Sequence, residues 1–417
     1  MDYRLLCGAA VVDITPHPFI PGIFLAGFES NRRAKALLDP LEAVAVTLSD
    51  GHSHVALVAV DLIGLPRPFV EWVRDLLVPD YPQPWNVLVC ATHTHAGPDT
   101  IGLWGRAVLG KIPIESGVCE EYQRDLLHRI AEAVRRAYGA MVPVSVRAAR
   151  FDVPSYWTRN DRKGGGKDDF GHVLAFDALD DSRRVATIVN FAAHPETLWE
   201  GNPFVSSDYP GEVRRRMTAL TGGHCAFFSG ALGGMVTPNV PLASTLKERQ
   251  VAMRELGAGI AERASDALSN SRPLSDVRLS VARQPIALPL ANRGFAMLKR
   301  LGILDREFVL GRLRTEMNAV TMGDKVSIMT APGECTPEVG REVVARGPGE
   351  YRLLFCLGCD ELGYILTEEQ YQNPEYAYEK TMSVGPKTAP ALLEAADRLR
   401  MRVATRSPDR PDWRSPG

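Results

Sequence analysis

Short apolar runs separated by stretches of helical spacing do most to narrow the fold of this 417-residue chain. AVAVTL (43–48), VALVAV (55–60), VLVC (87–90), VSVRAA (144–149), VATIVNF (185–191) and VSIMTA (326–331) have strand length and strand composition. Helical spacing lies between them. In EEYQRDLLHRIAEAVRRAYG, Tyr122, Leu126, Leu127, Ile130 and Val134 fall on one face, and Gly139 closes the segment. Residues 244–268 and ALLEAADRLRMRV near the C-terminus read the same way. Strands alternating with such helices bury their apolar faces in layers. The expected fold is therefore α/β, a mixed β-sheet flanked by helices.

No linker splits the chain, so residues 1–403 are expected to form a single domain. The proline-rich 404–417 reads as a disordered tail. The 48 basic and 50 acidic residues nearly cancel. That balance gives no field for nucleic acid or an anionic membrane. Asp2 and Asp13 interrupt what a signal peptide would need, and VALVAVDLIGLP falls short of the roughly 20 apolar residues of a membrane span. The expectation is a cytoplasmic protein with no transmembrane segment. The seven cysteines read as free thiols, and Cys356-Leu-Gly-Cys359 as buried strand residues. DRKGGGKDD (161–169) lacks the P-loop pattern and reads as a surface loop. No pattern specifies an oligomeric state.

Chemistry concentrates where apolar runs stop. VLVC ends in Thr92-His93-Thr94-His95 before a Gly97-Pro98 turn. VATIVNF leads to His194 and Pro195, VSIMTA leads to Glu334 in a Pro-Gly turn, and Tyr364 follows Gly363. Asp61 closes VALVAV. Side chains at strand ends sit where α/β proteins place their sites. Two imidazoles and a carboxylate, with a fourth position for water or a weaker oxygen ligand, form a familiar catalytic zinc shell.

Taken together, GAAVVDITP, ATHTHAGPDT, VNFAAHPETL, SSDYPGEV, GGMVTPNV, PGECTPEVGRE and GYILTEEQYQNPEYAYEKTMSVGP resemble the catalytic domain of the neutral ceramidase family, in family order over nearly the whole chain. The resemblance implies a ceramidase-like zinc amidohydrolase. His93, His194, Glu334 and Tyr364 would hold Zn2+. His95 would touch substrate or move protons. Arg162 or Arg159 would meet an oxyanion, and Tyr378 would donate a hydrogen bond. The chain departs from the family's Gly-Asp-x-Ser-Pro-Asn motif, having Met235 and Thr237 where aspartate and serine are expected. The missing leader and C-terminal sandwich domain point away from membrane ceramide, toward a small soluble N-acyl amide. Two alternatives remain: a zinc-dependent acyltransferase, condensing enzyme or esterase, and a non-catalytic binding protein. Leu288–Leu313 is expected to form an amphipathic helix pair on the core, with a pocket wall as the second reading.

Overall fold

The structure, a computed structural model, describes residues 5–16, 22–109, 112–304, 306 and 308–405. The larger sheet holds eight strands: β1 (Leu6–Asp13), β2 (Glu42–Ser49), β3 (His54–Val60), β4 (Val87–Ala91), β5 (Val142–Asp152), β6 (Phe170–Ala178), β7 (Arg184–Phe191) and β8 (His224–Ser229). Their order is β8-β7-β6-β5-β1-β2-β3-β4. Neighbours are antiparallel except at the two ends, where β7 runs parallel to β8 and β3 to β4. The sheet curls, so that β8 meets β3 and β4 at the opposite edge. Ser229 at the end of β8 thus hydrogen-bonds the carbonyl of Thr92 just past β4, at 2.7 Å.

A second sheet contains β9 (Leu279–Pro289), β10 (Arg312–Met322), β11 (Val326–Thr330) and β12 (Tyr351–Phe355), in that order. Its last pair is parallel. The two sheets join where Phe228 of β8 stacks on Phe355 of β12 with ring centroids 4.0 Å apart.

Helices cover the sheets because their apolar stripes match. α1 (Arg67–Leu77) and α2 (Glu120–Gly139) pack together, with α2 against β1 and β2. Tyr122, Leu126, Ile130 and Val134 of α2 are buried on the predicted face. α3 (Asp208–Thr221) and α4 (Leu246–Ser269) cover β5, β6 and β8. α4 starts with a Thr245–Glu248 capping box, which satisfies two free N–H groups of its first turn. α5 (Arg293–Arg300) is short. α6 (Pro337–Arg346) and α7 (Thr388–Thr405) pack on the second sheet. Among the described residues, no helix is long and apolar enough to cross a membrane.

The α/β expectation matches this layered, mixed-sheet architecture. Two details differ. The expected tail begins too early, since residues 404 and 405 finish α7; 406–417 lie outside the described residues. Leu288–Leu313 is no helix pair either. It forms the end of β9, the eight-residue α5 and a two-residue strand, Phe308–Val309, that folds back on β10. Gly302 and Gly311, both at positive φ, break the helical run that the leucine spacing suggested.

Candidate functional site

Four strand ends converge. His93 and His95 follow β4, His194 follows β7, Glu334 follows β11, and Tyr364 lies beyond β12. Backbone hydrogen bonds fix these loops. His93 N–H donates to Leu62 O at 2.9 Å, His95 N–H to Pro195 O at 3.0 Å, His194 N–H to Val236 O at 2.8 Å, and Glu334 N–H to Gly363 O at 3.0 Å. A two-residue parallel ladder sets Glu334 beside Tyr364. His93 and Met235 sit at φ 73° and 63°, a left-handed region costly for non-glycine residues. Such strain collects at functional sites.

The rings of His93, His95 and His194 form one buried group, with centroids 4.9, 5.2 and 5.6 Å apart. Their nitrogens lie close enough together to share a metal ion. The Nδ1 of His93 is 2.6 Å from Ile63 O and that of His194 is 2.9 Å from Val236 O. Each carbonyl selects the Nδ1–H tautomer, leaving Nε2 free as a ligand. Both Nε2 atoms face one oxygen: Glu334 Oε2 is 3.5 Å from His93 and 3.0 Å from His194. Burial alone would raise the Glu334 pKa, but His93 and His194 bring it down to about 2. Burial would lower that of His194, but the hydrogen bond to Glu334 and the nearby Glu196 and Glu334 charges lift it to about 9. These are the charge states of a site that holds a proton where a cation would fit.

His95 behaves differently. Its ring has no hydrogen-bond partner at either nitrogen among the described residues. Burial, then His93, His194 and Arg32, push its pKa well below the usual value, so it is neutral. Gly27 packs against it, and a Cβ there would fall 2.4 Å from the ring, so only glycine fits. Arg32 Nη2 donates to the His95 carbonyl at 2.6 Å.

The remaining expected residues lie around this centre. Tyr364 is buried and donates to Met235 Sδ at 3.4 Å. Tyr378 lies beside it, half-exposed, with ring centroids 6.1 Å apart. Arg162 is one layer back, paired with the buried Glu379 at 2.5 Å. Arg159 is turned away, bonded to Asp161 and to the Pro238 and Val240 carbonyls. Thr237 is buried with its hydroxyl toward Glu196. Asp61, a strand-end candidate, is closed off by a salt bridge to Arg214 at 2.5 Å.

A cavity opens on this cluster. His93, His95, Glu334, Tyr364 and Tyr378 line its polar part, and its walls are largely apolar. Leu290, Phe295, Leu304 and Phe308 come from the Leu288–Leu313 segment, so that stretch is a pocket wall. Lys299 and Arg306 line it too. Three acids or bases escaped the sequence reading. Glu196, two residues after His194, and Glu361, three before Tyr364, are fully buried at the site, and Arg32 adjoins His95. Adjacency to the strand-end residues was the available signal for the two glutamates; nothing local marked Arg32.

No family model and no curated protein matches the sequence. Among solved structures, the neutral ceramidase from Pseudomonas aeruginosa is similar at a TM-score of 0.77, with 17% identity, covering 100% of this chain and 77% of that one. A structure titled "Ceramidase complexed with C2" is similar at a TM-score of 0.78, again with 17% identity, covering 100% of this chain and 78% of that one. The fold is therefore that of a neutral ceramidase.

Proposed function

We propose that residues 1–403 act as one catalytic unit, a zinc-dependent hydrolase that cleaves the C–N bond of a linear, soluble N-acyl amide. The observation that carries this reading is the approach of one Glu334 oxygen to the free Nε2 atoms of His93 and His194 at the polar end of an apolar-walled cavity. The donor set fits the ion: two anchored imidazoles, a buried carboxylate and a nearby phenol match zinc's preference for N and O ligands. His93, His194 and Glu334, with Tyr364, would hold it. When bound, zinc supplies Lewis acidity toward a carbonyl oxygen and lowers the pKa of a neighbouring water to about 7.

The chain's own residues do the rest. The apolar walls take the acyl arm and exclude bulk water, which strengthens every polar contact inside. Tyr378 can donate a hydrogen bond to the carbonyl oxygen as negative charge grows there. Neutral His95 can accept a proton from the attacking water at a ring nitrogen and return it to the leaving nitrogen as the C–N bond breaks. Arg162 acts through Glu379 behind Tyr364 and Tyr378. Thr237 is buried outside the cavity lining, so a covalent acyl-enzyme at its hydroxyl is disfavoured. Lys299 and Arg306 on the cavity wall suit a polar, water-soluble substrate better than a neutral lipid.

The test joins metal analysis to a panel of N-acyl amines and N-acyl amino acids scored by mass spectrometry. One zinc per chain and release of free acid plus amine is the expected result. A joined product would favour acyl transfer. Absence of both stoichiometric metal and turnover would favour a binding protein.

A further inference from the structure

The geometry points to Glu196 as the positioning residue for His95, accepting a hydrogen bond from its Nδ1–H so that Nε2 presents its lone pair to the cavity. This inference rests on the hydrolase reading for its consequence in catalysis, though not for its geometry. Glu196 is completely buried, and neither of its oxygens has a hydrogen-bond partner among the described residues. Neither nitrogen of His95 has one. Two orphaned polar groups, one with two acceptors and one able to donate, lie side by side: His95 Nδ1 is 3.4 Å from Glu196 Oε2. Leaving buried polar groups unpaired costs free energy, and a small rotation of the ring or carboxylate pairs them. Such bonds often close only once substrate is bound.

The surroundings favour this pairing. Glu196 lies behind the cavity lining, whereas His95 is part of it, so the carboxylate reaches the cavity only through the imidazole. The carbonyl of His95 is held by Arg32, and its ring stands edge-on to Phe28 at 4.9 Å. These contacts limit where the ring can lie without choosing its tautomer. His93 and His194 have that choice made by backbone carbonyls. For His95 the nearest acceptor is a carboxylate, which also stabilises a positive imidazolium when the ring takes up a proton. Thr237 is buried near the same carboxylate.

The experiment uses the full chain with 15N-histidine labelling, with and without zinc, and reads the His95 tautomer from two-bond 1H–15N correlations. His95 is assigned by its absence in His95→Asn. The Nδ1–H form is expected in both states, and Glu196→Gln is expected to abolish it, because the amide can donate to Nδ1. Finding the Nε2–H form in the wild type overturns the proposal whatever the activity. On the best amide of the panel, Glu196→Gln should lower kcat by about 100-fold or more, the scale of a lost proton-transfer step, with KM and zinc content nearly unchanged. Glu196→Asp should recover part of that loss. Undiminished kcat in a folded, zinc-replete Glu196→Gln protein also overturns it. Should the variant fail to fold, the wild-type tautomer still decides. If the wild type turns over no amide, the hydrolase reading fails while the tautomer result stands on its own.

Discussion

Glu316 and Glu196 are both fully buried carboxylates, and their surroundings are opposite. Glu316, on β10, binds Arg74 from α1 through both oxygens, at 2.8 and 3.1 Å, and also pairs with Arg283 from β9. Asn318 donates a further bond at 3.1 Å. Burial would raise its pKa, but Arg283 and Arg74 carry it far below the usual carboxylate range. Arg74 is itself closed, its remaining contacts going to Glu71, the Val87 carbonyl and Cys359 Sγ. Glu196 has no guanidinium. Burial raises its pKa more than His194 and Thr237 lower it. The first arrangement ties α1 to the second sheet and satisfies both oxygens of the carboxylate. The second leaves capacity unused inside the protein, which a fold does not tolerate without a function to set against it. Buried charge is thus a poor guide to a site by itself; buried charge left open is a better one.

The contrast can be broken from either side. The largest effect belongs to the site. Glu334→Ala should strip the metal and cut amide turnover by at least about 1,000-fold, roughly 4 kcal/mol of transition-state stabilisation. A zinc-replete, active Glu334→Ala would remove the carboxylate from the centre. Next comes the closed cluster. Glu316→Gln leaves the buried Arg74 and Arg283 sharing only Glu71 as counter-charge and should cost about 3–5 kcal/mol in chemical unfolding. Glu196→Gln removes an unpaired charge and should leave stability equal or higher. If the two substitutions destabilise equally, the distinction between closed and open carboxylates fails.

Removing zinc should be milder. At a free concentration of about 100 Kd, the ion stabilises by about 2.7 kcal/mol, read as a fall in melting temperature on chelation. The metal-free protein should also show a pH window. Glu334, lowered from 4.5 to about 2, contributes stability that is complete above 4.5 and lost as pH falls through about 2. His194, raised from 6.5 to about 9, contributes stability complete below 6.5 and lost as pH rises through about 9. Their joint contribution is therefore greatest between about pH 4.5 and 6.5, and the pH dependence of melting should flatten in Glu334→Gln, which removes the titrating carboxylate and the hydrogen bond that raises His194. The smallest effect is expected from Tyr378→Phe, a loss of about 10-fold or less in kcat, since one neutral hydrogen bond is worth roughly 1 kcal/mol.

The sequence was most legible where one physical demand acted alone. β2, β3 and β4 are apolar on both faces because both are covered, and α2 keeps its period because only one face is. β9 and β10 were overlooked for the reason that makes them interesting. Arg283, Gln284, Glu316 and Asn318 are buried in them, so the hydrophobic period is interrupted by polar residues, Glu316 and Arg283 among them joining Arg74 and Glu71 of α1. At the site, His93, His194 and Glu334 were readable as chemistry that ends a strand. Their meeting was not, because it depends on the curl of one sheet and the docking of another. Met235 illustrates the remaining gap. The resemblance calls for an aspartate there, whereas its side chain packs toward Tyr364 and the carboxylate facing Thr237 is Glu196, 39 positions earlier by the numbering.

The separation of the candidate ligands along the chain has a consequence for synthesis. Both imidazoles leave the ribosome well before Glu334, which follows His194 by 140 positions. If Glu334 is a ligand as proposed, a nascent chain lacks that carboxylate until β11 has formed and paired with β10. On that reading, full coordination of the ion would be a late act of maturation, reached only in a chain whose two sheets have already met.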